Sequence, residues 1–187
     1  YDEVTLCRSE RLGTLITFRN VKWKNFLSTG NQFTQIQLDY APTTLIIGEN
    51  GAGKSTILDA LCFVLFNKPF RNISKSQLVN SVNGNGTIVE VEFNVNNKDV
   101  KVVRGIKPNK FEVWIGDTMI NQDANARDYQ KHLEQQILKF NYRSFTQVVI
   151  LGSSTFVPFM QLNSKARREV VEDILDIKIF SLMNLVL

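Results

Sequence analysis

Two periodicities divide the chain. Residues 14–23 (TLITFRNVKW) are rich in β-branched and aromatic types and predict a strand that runs into the polar bend NFLSTGN. Residues 33–38 (FTQIQL) alternate apolar and polar, the pattern of a half-buried strand. The short apolar run at 43–47 (TTLII), ended by Gly48, predicts a strand buried on both faces. Beyond a glycine-rich loop, Ile57, Leu58, Leu61, Leu65 and Phe66 recur at helical spacing, and Lys68-Pro69 marks the stop. Strict alternation returns at 87–95, with Val89, Val91, Phe93 and Val95 on one face and Glu90, Glu92 and Asn94 on the other. NNKD reverses the chain into VKVVRGI, and FEVWI followed by IGDT predicts a further hairpin, making an antiparallel block.

The second half turns helical. Tyr129, Leu133, Ile137 and Phe140 form one stripe, YRSFTQVVILG runs on to Gly152, and Asn163 or Ser164 can cap a helix through KARREVVEDIL. Residues 177–187 (IKIFSLMNLVL) are apolar nearly all round, so their partner or continuation is expected outside this chain. Residues 1–13 carry no periodic pattern and read as an arm preceding a single domain at 14–176.

Composition narrows the function classes. With 187 residues, 43% hydrophobic and 21% charged, the chain can bury one ordinary core. No apolar run reaches membrane length and the start, YDEVTLCRSER, is no signal peptide, so a cytoplasmic protein without membrane contact is expected. Two cysteines (Cys7 and Cys62) and a single histidine (His132) exclude a disulfide framework, a Cys-rich zinc site and any multi-His metal site. Twenty-two Lys+Arg against 18 Asp+Glu give a net +4, compatible with a polyanionic partner.

The chemistry concentrates at 48–55, GENGAGKS, a match to G-x-x-x-x-G-K-[ST]. Small residues let successive backbone N–H groups converge on a β-phosphate, and the following helix aims its positive end at the same group. Lys54 is expected to bridge β- and γ-phosphate oxygens, Ser55 to hold Mg²⁺ through its hydroxyl, and Thr56 to reach an α-phosphate oxygen. The aspartate that usually completes the Mg²⁺ site at the end of a second apolar strand has no counterpart, since Asp39 follows a polar strand and Asp176 a helical pattern. Half of a hydrolytic site is what the residues spell out.

The stretches GENGAGKSTILDAL, FRNVKWKNFLSTG, FNKPFRNISKSQLVNS and SFTQVVILGSSTFVPFMQLNSKARREVVEDIL together resemble the SMC-like ATPases of the SbcC type, most of all their phage branch. The resemblance spans about residues 15–187. It implies an α/β P-loop head of ABC/SMC type. This chain would be its N-terminal lobe, with a mixed sheet, an antiparallel β block and flanking helices, ending where a coiled-coil helix starts at 177–187. It implies ATP and Mg²⁺ as cofactors, with Gly48, Glu49, Asn50, Gly51, Ala52, Gly53, Lys54, Ser55 and Thr56 binding nucleotide, Lys54 catalytic, and Lys24 and Asn25 near the base or ribose. The implied partners are the chain's own C-terminal ATPase lobe, a second copy of the head, a nuclease subunit and double-stranded DNA ends. The implied function is an ATP-hydrolysing subunit of a DNA exonuclease complex in recombination, repair and replication, in host-cell cytoplasm if phage-encoded. Alignment puts Ser153 where the family carries a Mg²⁺-sensing Gln, with Gln147 six residues earlier, so Ser153 stands as a candidate Mg²⁺ ligand.

Other readings of the same loop remain open. A GTPase would show N-K-x-D, but Asn97-Lys98 runs straight into Asp99; a small-molecule kinase would need a complete site and a lid; a transporter ATPase would carry S-G-G-Q. A nucleotide-gated DNA-binding scaffold without turnover is the further alternative. Lys98, Lys101, Arg104, Lys107 and Lys110 recur every third residue, either as part of a DNA-facing rim or as solvated hairpin edges. Lys165, Arg167 and Arg168 open the last capped helix, against its dipole, and pair either with an outside anion or with Glu169 and Glu172.

Overall fold

Alternating strands build one antiparallel sheet. The computed structural model describes residues 16–120, 126–150 and 159–175; the arm at 1–13, Ser153 and the helix expected at 177–187 lie outside the described residues. Strands β1 (Ile16–Lys24), β2 (Thr34–Gln37), β3 (Thr87–Val95), β4 (Lys98–Ile106), β5 (Lys110–Ile115) and β6 (Thr118–Met119) pair in the order β2-β1-β3-β4-β5-β6. The register aligns Val21, Val91, Val102 and Val113 in a single buried row across four strands. Asn96 and Asn97, both at positive φ (47° and 66°), form the tight β3–β4 turn, a conformation asparagine tolerates. A bulge between Phe18 and Asn20 lets both Phe18 and Val21 face the core from β1.

Helix α1 (Thr56–Phe66) packs on the inner face of this sheet. Nine of its eleven residues are buried, so it is enclosed on every side, beyond the one-stripe pattern its leucines suggest. Asn67, at φ 58°, donates its N–H to the Phe63 carbonyl and ends the helix just before Lys68-Pro69. Cys62 is wholly buried in this helix, and burial, reinforced by the Asp59 carboxylate, pushes its thiol well above the ordinary range.

The second half covers α1. Helix α2 (Ala126–His132) widens into π-type turns over Leu133–Leu138, and Tyr129, Leu133, Ile137 and Leu138 are buried. Helix α3 (Tyr142–Val148) is capped by Asn141, whose side-chain oxygen accepts the Ser144 N–H at 2.9 Å. Helix α4 (Ser164–Ile174) is capped by Asn163, which accepts from Ala166 N at 2.8 Å. Of its opening cations, Arg168 meets Glu172 at 2.6 Å, while Glu169 takes Arg143 of α3 at 2.6 Å. No described helix is long and apolar enough to cross a membrane.

Two expectations are corrected. The run 43–47 forms no strand; Leu45 and Ile47 are 80% and 83% exposed and Ile46 46%. A strand buried on both faces needs hydrogen-bonding neighbours on both edges, and none of the described strands pairs with this run; every strand pairing among the described residues is antiparallel. Arg104 leaves the period-three row of cations altogether. It points inward from β4, stacks 3.7 Å from the Phe111 ring centroid, and donates to Val64 O (3.0 Å) and to Gln130 Oε1 (2.6 Å). Gln130 in turn donates to Leu65 O at 2.9 Å and to Glu134 at 2.6 Å. Burial lowers the guanidinium to about 9, so it stays charged at neutral pH and complements the carbonyl end of α1.

Removing that cation leaves a buried carbonyl and amide without their donor. Arg104→Met is expected to lower unfolding free energy by about 3 kcal/mol in urea denaturation, while exposed Lys98→Ala changes it by less than ~0.5 kcal/mol. A loss below ~1 kcal/mol for Arg104→Met would contradict its tying role.

Candidate functional site

The glycine-rich loop at 48–55 closes on itself. Gly51 and Gly53 both sit at φ +90°, a backbone state that L side chains rarely adopt. A Cβ at Gly51 would meet no atom within 4 Å, so glycine is required there by the backbone and not by crowding. Ala52 N donates to Glu49 O at 3.2 Å between them, and Thr56 N to Gly53 O at 2.9 Å as α1 begins. The Lys54 ammonium folds across the loop onto the carbonyls of Gly48 (2.6 Å) and Glu49 (2.7 Å). Ser55 makes no side-chain cap, so helix α1 presents first-turn N–H groups that no side chain answers.

The loop opens onto a cavity of about 550 Å³, within the size range of cofactor sites. Asn50, Gly51, Gly53, Lys54, Ser55 and Thr56 line it from the loop. Leu27 and Ser28 line it from the β1–β2 connection, Val79 and Ser81 from the segment before β3, and Arg71 and Gln77 from the connection after α1. Arg71 is anchored by Asp59, which is fully buried one turn into α1. One Asp59 oxygen accepts from Phe70 N (3.1 Å) and Arg71 N (3.0 Å); the other takes the guanidinium at 2.6 Å. Asp59 and Arg71 thereby form an ion pair of no net charge, and on the lining Arg71 offers N–H donors beside the Lys54 ammonium.

Six of the expected nucleotide-binding residues therefore meet around the cavity: Asn50, Gly51, Gly53, Lys54, Ser55 and Thr56. Gly48, Glu49 and Ala52 shape the loop behind them. Lys24 and Asn25 are not on the lining. The Lys24 ammonium lies 5.2 Å from the Phe33 ring centroid, as Lys22 does at 5.5 Å. The Asn25 carboxamide is buried and committed to the protein: it donates to Asn31 Oδ1 (3.0 Å) and Gly86 O (3.3 Å) and accepts from Asn83 Nδ2 (2.6 Å). The family resemblance placed it near the base or ribose; in the structure its side chain binds the neighbouring segments. Ser153 lies outside the described residues.

Arg71, Gln77, Ser28 and Ser81 went unnoticed in the sequence because no spacing rule links them to the loop. Arg71 lay inside the stretch FNKPFRNISKSQLVNS that carried the resemblance, and a physical signal for it was Asp59, a carboxylate inside an apolar helix, which demands a cationic or N–H partner when buried. The residues present fit a polyphosphate with a bridging cation: two cationic side chains, glycine-loop amides and the Ser55 hydroxyl face one cavity. Among the described residues, no group of three His, Cys, Asp or Glu side chains gathers to hold a metal by itself.

Comparison with known proteins agrees with the fold. A family model described as an AAA domain matches residues 20–181. Exonuclease subunit 2 of Enterobacteria phage T4 is 45% identical over 157 residues, covering 84% of this chain and 28% of that protein. Its counterpart in Escherichia phage RB69 is 42% identical over the same shares. The DNA double-strand break repair Rad50 ATPase of Archaeoglobus fulgidus is 30% identical over 64% of this chain and 13% of its own length. This chain thus spans about a quarter of the length of the phage relatives. Among solved structures, one from work on ATP-driven dimerization and DNA stimulated activation of SMC ATPases superposes with a TM-score of 0.56 at 19% identity, covering 84% of this chain and 98% of its own. An Smc head bound to the C-winged helix domain of ScpA gives 0.54 at 21% identity over 84% of this chain and 50% of its own. The chain belongs to the AAA-domain family matched at 20–181, in the SMC-like head lineage of SbcC, Rad50 and phage exonuclease subunit 2.

Proposed function

We propose that this chain binds ATP with Mg²⁺ and forms the N-terminal half of an ATP-hydrolysing head in a DNA exonuclease complex acting in recombination, repair and replication. The observation that carries the reading is the loop itself: two glycines at φ +90° beside a lysine, at the uncapped start of a buried helix, opening on a cavity lined by two cations. Amides of the loop hold the β-phosphate. Lys54 moves from the Gly48 and Glu49 carbonyls to β- and γ-phosphate oxygens, exchanging two neutral acceptors for charged ones. Arg71, its charge balanced by Asp59 from behind, adds guanidinium N–H donors on the same lining. Thr56 is nearly buried, so its contact to an α-phosphate oxygen runs through its cavity-facing edge. Mg²⁺, when bound, neutralises phosphate charge and orients the reacting groups; Ser55 would hold it, with Ser153 as a further ligand. Lys24 and Asn25 serve the base or ribose side from behind the wall, through the backbone that Asn25 holds.

Turnover needs more than these residues. The chain's own C-terminal ATPase lobe would supply the missing acid and cover Leu45, Ile46 and Ile47, whose exposure leaves an apolar face without a neighbour. A second copy of the head, a nuclease subunit and double-stranded DNA ends complete the assembly, in the cytoplasm or, if phage-encoded, the host-cell cytoplasm. These partners follow the names of the relatives: exonuclease subunits in the phages and double-strand break repair ATPases in archaea.

Lys54→Ala is expected to weaken ATP binding about 100-fold by calorimetry, the loss of two charge-assisted hydrogen bonds. Unchanged affinity would refute the loop assignment. The chain alone is expected to bind ATP–Mg²⁺ with negligible turnover, and DNA-stimulated hydrolysis to appear on mixing it with the C-terminal lobe. Brisk hydrolysis by the isolated chain would contradict the split site; none in the mixture would favour a nucleotide-gated scaffold.

A further inference from the structure

The cavity lining divides by chemistry. Lys54, Arg71 and the loop amides suit phosphates, whereas Leu27, Ser28, Val79 and Ser81 offer apolar surface and neutral hydroxyls. The second group comes from two separate stretches of chain, and Asn80 joins them. Only 7% exposed, Asn80 donates its side-chain amide to Leu27 O (3.0 Å) and Thr29 O (3.1 Å). Its side-chain oxygen accepts from Val82 N and Asn83 N, both at 3.0 Å, and its backbone N–H donates to Asn25 O at 3.0 Å. Every hydrogen-bonding arm of this carboxamide is therefore taken up in holding one stretch against the other.

Leu27 gives this arrangement a function to serve. It stands at φ +53°, a left-handed state that a residue with a bulky apolar side chain rarely adopts. Such a state persists only where the surroundings over-determine it. Here Leu27 N donates to Leu78 O at 2.7 Å and Leu27 O accepts from Asn80, so both polar groups of the strained residue are fixed from the 78–80 segment. The strain holds Leu27 and Ser28 on the cavity lining.

We propose that Asn80 is a positioning residue that sets the uncharged part of this wall, so that the site favours a nucleoside triphosphate over bare polyphosphate. The proposal rests on the nucleotide-binding reading above. Two variants separate its halves. Asn80→Ala removes all four side-chain bonds, while Asn80→Asp keeps the acceptor for Val82 and Asn83 but cannot donate to Leu27 and Thr29.

The experiment titrates ATP–Mg²⁺ and inorganic tripolyphosphate–Mg²⁺ into the unmodified chain and both variants. Both variants should bind ATP about tenfold more weakly and tripolyphosphate unchanged. Wild-type ATP affinity in Asn80→Asp, or equal losses for both ligands, would overturn the positioning role. Failure of the unmodified chain to bind either ligand would instead bring down the nucleotide reading beneath it. Should neither variant fold, the Asn80 side-chain amide signals in NMR of the unmodified chain decide the matter. They should shift with ATP and not with tripolyphosphate; a shift with both or with neither overturns the proposal.

Discussion

Helix α1 has no free face, and that constraint organises the molecule. A helix enclosed by a sheet on one side and by the second half of the chain on the other cannot tilt without opening the core. Its two ends are then treated differently. At the carbonyl end Arg104 and Gln130 answer Val64 and Leu65, giving the orphan acceptors a buried cation and an amide. At the amide end no side chain caps the first turn, and the loop before it is bent by two left-handed glycines so that N–H groups face a cavity. The positive end of the helix is thus held in place with only local backbone carbonyls, those of Gly53 and Ser55, accepting from its first turn and no side chain capping it, an arrangement that suits an anion.

The same helix reaches sideways to the rest of the cavity. Asp59, one turn in, draws residues 70 and 71 against it and so brings Arg71 to the lining. A buried carboxylate in an apolar helix would be costly alone; paired and doubly hydrogen-bonded from the backbone, it becomes a rigid bracket. The segments at 25–31 and 79–87 form a second bracket, interlocked by Asn25, Asn80, Asn83 and Thr87. The Arg71 side and the Leu27–Val79 side of the cavity therefore hang on separate supports, one ionic and one made of neutral amides.

Local pattern made the antiparallel block legible. Val89, Val91 and Phe93 alternate because one face of β3 is buried, and NNKD supplied the positive-φ asparagines its turn needs. The Asn163 cap and the glycine bend before α1 were equally readable, since both rest on contiguous residues. What stayed hidden depends on distance along the chain. TTLII reads as a buried strand by composition, yet stands exposed because burial belongs to neighbours and not to the run itself. Arg104 sits in a row of surface lysines in the sequence and inside the core in space, a position decided by the carbonyls of α1 forty residues earlier. The Asn25 carboxamide, expected near the base or ribose, binds Asn31, Gly86 and Asn83, and Asn80 lay in a stretch that carried the resemblance without being given a role of its own.

The central claim is that the backbone amides of 50–55 are the anion-holding surface, and amide hydrogen exchange reads them directly. Adding ATP–Mg²⁺ should slow exchange at Gly51, Gly53, Lys54 and Ser55, while the β3–β4 strands stay unchanged. Loop amides exchanging at the same rate with and without nucleotide would contradict the account.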